Sequence, residues 1–429
     1  MRVLTLVALF AVAYAKHEQY QGWKSYYVRP SDQTQLRSLT SIVQKYKLDF
    51  ISKASVGRNA VVLVKPQYND VFLRELADQT IAYTVHVNDV KAQLDIEDAQ
   101  LEARKSITKD EDSTSIFDRY LELEEIDAYL ADIAKKNPDL VTLQNGTSFE
   151  GRPINLLKIS KPSDDETEKP IIIIDAGIHS REWIGPSTAL YAISKLVDEA
   201  IEQDLIDELD WVILPMVNPD GYKYSRTTDP LWVKTRSTDN DEKSVECPGA
   251  DANSNFDFYW NLFGTSSDPC DDNYAGSKVH SEVEVQYGQQ NLEEFGYRTV
   301  LYISLHSYGS QILYSWGHDG TLSQQAFALQ TVGISIANAI QQNAKPNYPR
   351  YIVGNSALVT GQQTSGSTVD YLHYNGIPLT YNLVLPGVLD NTRGFNPDPT
   401  EIEQIAKETW AGIVVGARRA KDLFGNWIK

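Results

Sequence analysis

The chain has 429 residues, 42% of them hydrophobic and 23% charged, a composition that excludes a disordered chain or a coiled coil and supplies one large core and a smaller one. Its formal net charge of −19 at pH 7 argues against nucleic acid or an anionic membrane surface as partner, since basic side chains dominate both kinds of binding. No uncharged apolar run reaches the ~20 residues of a membrane-spanning helix.

At the N-terminus, Met1 and Arg2 precede an apolar stretch from Val3 to Val12, and Ala13-Tyr14-Ala15 is a small-x-small cleavage pattern ahead of Lys16. Residues 1–15 therefore read as a secretory signal peptide, and the mature protein is expected to be soluble and extracellular. Strand-like stretches follow at Ser25 to Val28 and Ala60 to Val64, interleaved with helix-compatible stretches at Asp32 to Tyr46 and Tyr68 to Asp78. This pattern predicts a small α+β domain. Asp95 to Ser115, rich in Asp, Glu, Lys, Ser and Thr with Arg104-Lys105 inside, reads as an exposed linker open to proteases. The expected domains are accordingly 16–105 and 106–429.

From about residue 116 strands alternate with helices. Leu121 to Lys136 is an amphipathic helix ending before Asn137-Pro138, Pro170 to Asp175 an apolar buried strand, and Ser187 to Ile201 the helix after it. Asp210 to Met216 and Thr299 to Leu305 are further buried strands, while Leu322 to Gln342 and Thr400 to Phe424 are long helices. Such alternation predicts an α/β fold whose largely parallel or mixed sheet is covered on both faces, with ligands beyond the carboxyl ends of the strands. Two cysteines, Cys247 and Cys270, read in an exported chain as one disulfide, the alternative being two buried, inert thiols. Asn145-Gly146-Thr147 is an acceptor pattern for N-glycosylation.

The strand ending at Asp175 runs into Ala176-Gly177-Ile178-His179-Ser180-Arg181-Glu182-Trp183, which puts a histidine and a glutamate three residues apart at a strand end. Catalytic zinc takes three protein ligands from His, Glu or Asp and leaves a position for water, so a second histidine must come from elsewhere. Of the seven histidines, His306 in Ser304-Leu305-His306-Ser307-Tyr308 also sits at a strand end.

These runs, with Glu150-Gly151-Arg152-Pro153, Asn218-Pro219-Asp220-Gly221-Tyr222, Lys234-Thr235-Arg236-Ser237 and Asp251-Ala252-Asn253, occur in an order and spacing that resembles the digestive zinc carboxypeptidases of the A and B type. The likeness extends over essentially the whole chain, to Glu408-Thr409-Trp410. It implies a carboxypeptidase-like α/β/α domain with a mixed, mostly parallel eight-stranded twisted sheet. A ferredoxin-like propeptide would precede it, cleaved off in a zymogen. It also implies Zn2+ held by His179, Glu182 and His306, with Asp251 orienting His179. Arg236 would stabilise the oxyanion, Arg181 and Asn253 would touch substrate, and Tyr308 would line the cleft. Cys247 and Cys270 fall where the family carries a disulfide. Peptide C-termini, carboxypeptidase inhibitors and the chain's own propeptide are the implied partners.

Four positions depart from the family pattern. The glutamate that takes the proton from the metal-bound water aligns with Val384, and no glutamate lies between Glu294 and Glu401. The arginine that clamps the substrate's terminal carboxylate is replaced by Ser254, and the mobile tyrosine aligns with Gln362 or Gln363. Val233 replaces a further binding arginine, while Val369 at the bottom of the specificity pocket resembles the A type. The expectation is a secreted zinc-binding homologue with little or no peptidase activity, serving as an inhibitor decoy, a peptide-binding protein or an extracellular scaffold. The alternatives are an active A-type carboxypeptidase using Asp390 or a water relay as base, and a zinc-free binding or decoy protein.

Overall fold

Period-two runs of Val, Ile and Tyr and helix-period runs of Leu and Ile become two compact units in the computed structural model, which describes residues 16–108, 115–162, 168–199, 202–239, 242–346, 348–387 and 394–427. The expected signal peptide and Asp390 lie outside the described residues. No helix among the described residues is long and apolar enough to cross a membrane.

The first unit, centred on the residues up to 116, is built from β1 (Lys24–Arg29), α1 (Gln33–Lys45), β2 (Asp49–Ser52), β3 (Ala60–Val64), α2 (Asn69–Asp78) and β4 (Ala82–Val87). The sheet order is β2-β3-β1-β4 with every pairing antiparallel, the ferredoxin-like βαββαβ arrangement. Asp32 starts α1 by accepting from the Thr34 and Gln35 amides at 2.8 and 2.9 Å. Tyr26, Val28, Leu36, Leu39, Val62, Phe72 and Leu76 fill the space between sheet and helices.

One expectation fails in this unit. The segment read as a linker is instead largely helical: α3 spans Val90–Thr108, so the boundary expected at 105 falls within a helix. Two side-chain pairs brace its first turns. Lys91 meets Asp95 at 3.0 Å and Gln93 meets Glu97 at 3.0 Å, both at the i,i+4 spacing that supports a helix, and Val90 and Leu94 are buried.

The second unit holds an eight-stranded sheet in the order β11-β10-β12-β9-β7-β8-β6-β5. Its strands are β5 (Val141–Thr147), β6 (Pro153–Ile159), β7 (Ile171–Ala176), β8 (Asp210–Leu214), β9 (Thr299–Ser307), β10 (Gln311–Tyr314), β11 (Ile352–Asn355) and β12 (Leu379–Leu385). The pairs β7/β8, β7/β9, β9/β12 and β10/β11 are parallel and the rest antiparallel, so the sheet is mixed with a parallel centre. Every residue of β7, β8 and β9 is buried, which is why these strands read as unbroken apolar runs.

The helices used below are α4 (Leu123–Lys136), α5 (Ile184–Ser194), α6 (Val283–Phe295), α7 (Ala326–Asn343), α8 (Thr368–Tyr374) and α9 (Pro399–Phe424). The helix expected over 187–201 starts earlier, at Ile184, and its α-helical hydrogen bonding stops at Ser194. Gly412 lets α9 press against α7, since a Cβ there would stand 2.6 Å from Ile340 Cγ1. The Cys247–Cys270 disulfide is formed.

Glu284, near the start of α6, is fully buried. One of its oxygens accepts from the Phe149 amide at 3.1 Å, while Oε2 is buried without a hydrogen-bond partner. Burial pushes its carboxyl up to about 7 against the partial relief of the Phe149 bond, with Glu282 and Asp220 adding to the rise. An acid raised in this way holds a proton that the unfolded chain has already released, so stability falls as pH rises from about 4.5 to about 7 and levels off above. Glu284→Gln is therefore expected to melt higher than wild type at pH 8, by up to ~3 kcal/mol of stability, and the gap should close towards pH 4.5. Paired thermal melts across that range test this.

Candidate metal centre

The sequence after β7 turns because Gly177 takes φ +68°, and a Cβ there would lie 2.8 Å from Met216 Sδ. That turn leaves His179 and Glu182 at the carboxyl end of the strand, just before α5. In the neighbouring parallel strand, Ala176 pairs with Leu305, so His306 lies one step beyond the same level. The two strand ends deliver the three groups to one place.

Glu182 stands between the imidazoles. Its Oε1 is 3.0 Å from His179 Nδ1 and its Oε2 3.0 Å from His306 Nδ1. Donor atoms from the three residues all lie within 4.8 Å of one another, the one such group among the described residues. Glu182 and His306 are buried and His179 is nearly so.

The far side of each imidazole is held as well. His179 Nε2 lies 3.2 Å from Asp251 Oδ1, an acceptor, so this nitrogen carries a proton. Ser304 Oγ gives its one proton to Asp175 Oδ1 at 2.6 Å and lies 3.1 Å from His306 Nε2, from which it must therefore accept. Tyr302 OH also donates to Asp175. Both Nδ1 atoms are thus left presenting lone pairs to a carboxylate, and only a shared cation, protons or a metal ion, reconciles them. Burial alone would lower the His179 imidazolium, but the Glu182 charge and the bonds to Asp251 and Glu182 outweigh it and raise it to about 9. Burial pushes Glu182 up, yet the two imidazoles hold its carboxyl far below the usual carboxylate range. Two nitrogens and a carboxylate, fixed from behind and short of positive charge, fit a zinc ion.

The remaining expected residues fall into separate groups. The Arg236 guanidinium lies over the Tyr224 ring at 3.8 Å and the Trp232 ring at 4.7 Å, with its Nε 3.8 Å from Glu150 Oε1. Arg181 packs over the Phe395 ring at 4.3 Å, and Tyr308 meets the same ring edge-on at 5.5 Å. Asn253 Oδ1 accepts from the Thr368 amide and hydroxyl at 3.0 and 3.1 Å, which ties it to the start of α8. Val369 is buried in the apolar core one residue later. Gln362 is half-buried, its amide donating to Thr360 Oγ1 at 3.2 Å, and Gln363 donates to the His318 carbonyl at 2.9 Å. Val233 is buried and its carbonyl accepts from the Ser180 amide at 3.1 Å.

Val384 sits in β12 directly in register with His306 of β9. Partners at one level of a parallel ladder project to the same face, so an aliphatic side chain, 8% exposed, flanks the histidine there. Ser254 is also engaged, its hydroxyl donating to Asp251 Oδ2 at 2.5 Å. Sequence reasoning missed four supports: Ser304 and Asp175 behind His306, Glu150 beside Arg236, and Phe395 between Arg181 and Tyr308. A signal existed for the first two. Ser304 lies two residues before His306 on the same strand face, and Asp175 is a charged residue closing an otherwise apolar strand.

Comparison with known proteins follows the same lines. Residues 126–412 match the zinc carboxypeptidase family and residues 26–97 the carboxypeptidase activation peptide. Carboxypeptidase B of Helicoverpa zea is 50% identical over 427 residues, covering 99% of this chain and 100% of that protein. Mouse carboxypeptidase A2 is 32% identical, covering 97% and 98% of the two chains. The crystal structure of carboxypeptidase A from Helicoverpa armigera superimposes with a TM-score of 0.87 at 37% identity, over 95% of this chain and 99% of that one. Bovine thrombin-activatable fibrinolysis inhibitor, solved in complex with tick carboxypeptidase inhibitor, matches at 28% identity and a TM-score of 0.65 over 72% of this chain and 100% of that one. The chain belongs to the zinc carboxypeptidase family and has the propeptide-plus-enzyme organisation of its A/B-type proenzymes.

Removing one imidazole should abolish tight metal binding. Metal analysis of dialysed protein is expected to give about one zinc per wild-type chain and less than roughly a tenth of that for His306→Ala or His179→Ala.

Proposed function

We propose that this protein is a secreted, zinc-binding carboxypeptidase homologue with little or no peptidase activity, in which His179, Glu182 and His306 hold the metal and Arg236 supplies a fixed positive charge in the cleft. The observation that carries this reading is Val384 beside His306, where the reaction needs a proton acceptor. Bound zinc would polarise a water and bring its pKa towards ~7. The side chains must then take the proton and return it to the leaving amine, and valine can do neither. Loss of such a group costs at least ~10²-fold in rate. Ser254 at the clamp position adds to this, because one hydroxyl replaces a charged, two-pronged donor to the substrate carboxylate.

What remains suits recognition better than turnover. The buried Val369 favours aliphatic or aromatic C-terminal residues, while Arg236, packed against two neighbouring aromatic rings, is held in place as a fixed positive charge. Proteinaceous carboxypeptidase inhibitors are a candidate partner class, since a relative has been captured with one. A decoy that sequesters such inhibitors would need the metal and the cleft but not the base.

Steady-state assays with blocked dipeptides carrying aromatic C-terminal residues are expected to show no turnover above ~1% of a digestive carboxypeptidase assayed in parallel, after controlled cleavage within residues 95–115. Val384→Glu, alone or with Ser254→Arg, should raise kcat by ~10²-fold or more, and full wild-type turnover would reject the proposal. Export has its own test. Asn145 is exposed on β5, an edge strand of the sheet. In eukaryotic secretory cells the protein should reach the medium with an N-glycan at Asn145, seen as a mass difference that Asn145→Gln removes.

A further inference from the structure

Asp251 Oδ1 already serves two partners, His179 Nε2 at 3.2 Å and the Asn253 amide at 3.0 Å. Both lie on one oxygen, so rotation about Cβ–Cγ is opposed through that oxygen alone. Among the described residues the hydrogen-bond partner on Oδ2 is the Ser254 hydroxyl, at 2.5 Å, and that bond restrains the carboxylate from its other side. Ser254 is 8% exposed and its amide also bonds back to the Asp251 carbonyl at 3.0 Å, so the hydroxyl is carried on a tight turn. A side chain this short cannot reach out to a ligand while its single proton is committed to Asp251.

We infer that Ser254, at the position of the lost carboxylate clamp, is a positioning residue of the metal centre: its hydroxyl fixes Asp251, Asp251 fixes the His179 ring and tautomer, and zinc is held more tightly as a result. This rests on the zinc-binding reading above. The substitution thus moves position 254 from the substrate side of the cleft to the support of a metal ligand. Putting an arginine back would restore a charge facing the substrate and remove the hydroxyl from Asp251 in the same step.

The full-length chain is titrated with zinc against a chelator of known affinity. Partners that orient a metal ligand are worth roughly 10–100-fold in affinity when removed, and Ser254 acts one bond further out. Ser254→Ala is expected to weaken zinc binding by about three- to tenfold, Ser254→Arg by at least as much, and Ser254→Thr, which keeps the hydroxyl, by less than about twofold. In an Asp251→Asn background, adding Ser254→Ala should change the affinity by less than about twofold, because the group through which the hydroxyl acts has gone. A purely structural loss would instead lower affinity equally in both backgrounds. Ser254→Ala binding zinc like wild type, or failing equally with Asp251→Asn present, overturns the role of Ser254. A wild-type chain that binds no zinc overturns the zinc-binding reading and this inference with it.

Discussion

Two imidazole nitrogens and both oxygens of one carboxylate converge in a buried space, and such a group holds together only around positive charge. Much of the second unit serves that convergence. Parallel strands β7 and β9 end side by side, the turn at Gly177 redirects the chain after β7, and α5 begins directly after Glu182. Behind the ligands, Asp251, Ser304 and Asp175 decide which nitrogen of each ring carries hydrogen. Remove these supports and the rings could rotate, leaving the carboxylate a partner of either nitrogen.

On the proposed reading, metal retention and proton transfer are separable because different strands carry them. His179, Glu182 and His306 belong to the ends of β7 and β9, whereas Val384, in register with His306, belongs to β12. Val384 fits the buried β12 ladder without disturbing its neighbours, and β-branched side chains are favoured in strands. A fold of this kind can therefore lose its base while keeping a site that still demands a cation. The buried unpaired oxygen of Glu284 is a different case, since Glu284 is not one of the three clustered residues and its cost falls on stability.

The sequence made the central strands legible because buried parallel strands are unbroken apolar runs, as at Ile171 to Ile174. His179 and Glu182 stood out as a polar pair closing such a run, but only the family resemblance of the surrounding motifs made them metal ligands, and Val384 came from an ungapped count onward from Asp370 and Asn375-Gly376-Ile377 in a stretch without glutamate. Two things were not legible. The stretch from Asp95 to Ser115 looked like an exposed linker because composition does not show that side chains one helical turn apart can pair, as Lys91 with Asp95 and Gln93 with Glu97 do. Ser254 looked like a simple loss, since an alignment registers the missing arginine but not that a hydroxyl on a tight turn can reach the carboxylate three residues back.

The guanidinium of Arg236, packed against Tyr224 and Trp232 with Glu150 beside it, is a fixed positive group in a molecule whose overall charge is −19. Within about a Debye length of the surface an acidic peptide meets repulsion from the net charge, and on the proposed reading only closer approach brings its terminus to Arg236. Neutral and cationic chains meet no such outer barrier, so encounter rates would sort visitors by net charge before the pocket sorts them by shape. Rising ionic strength would narrow that difference by admitting acidic chains faster.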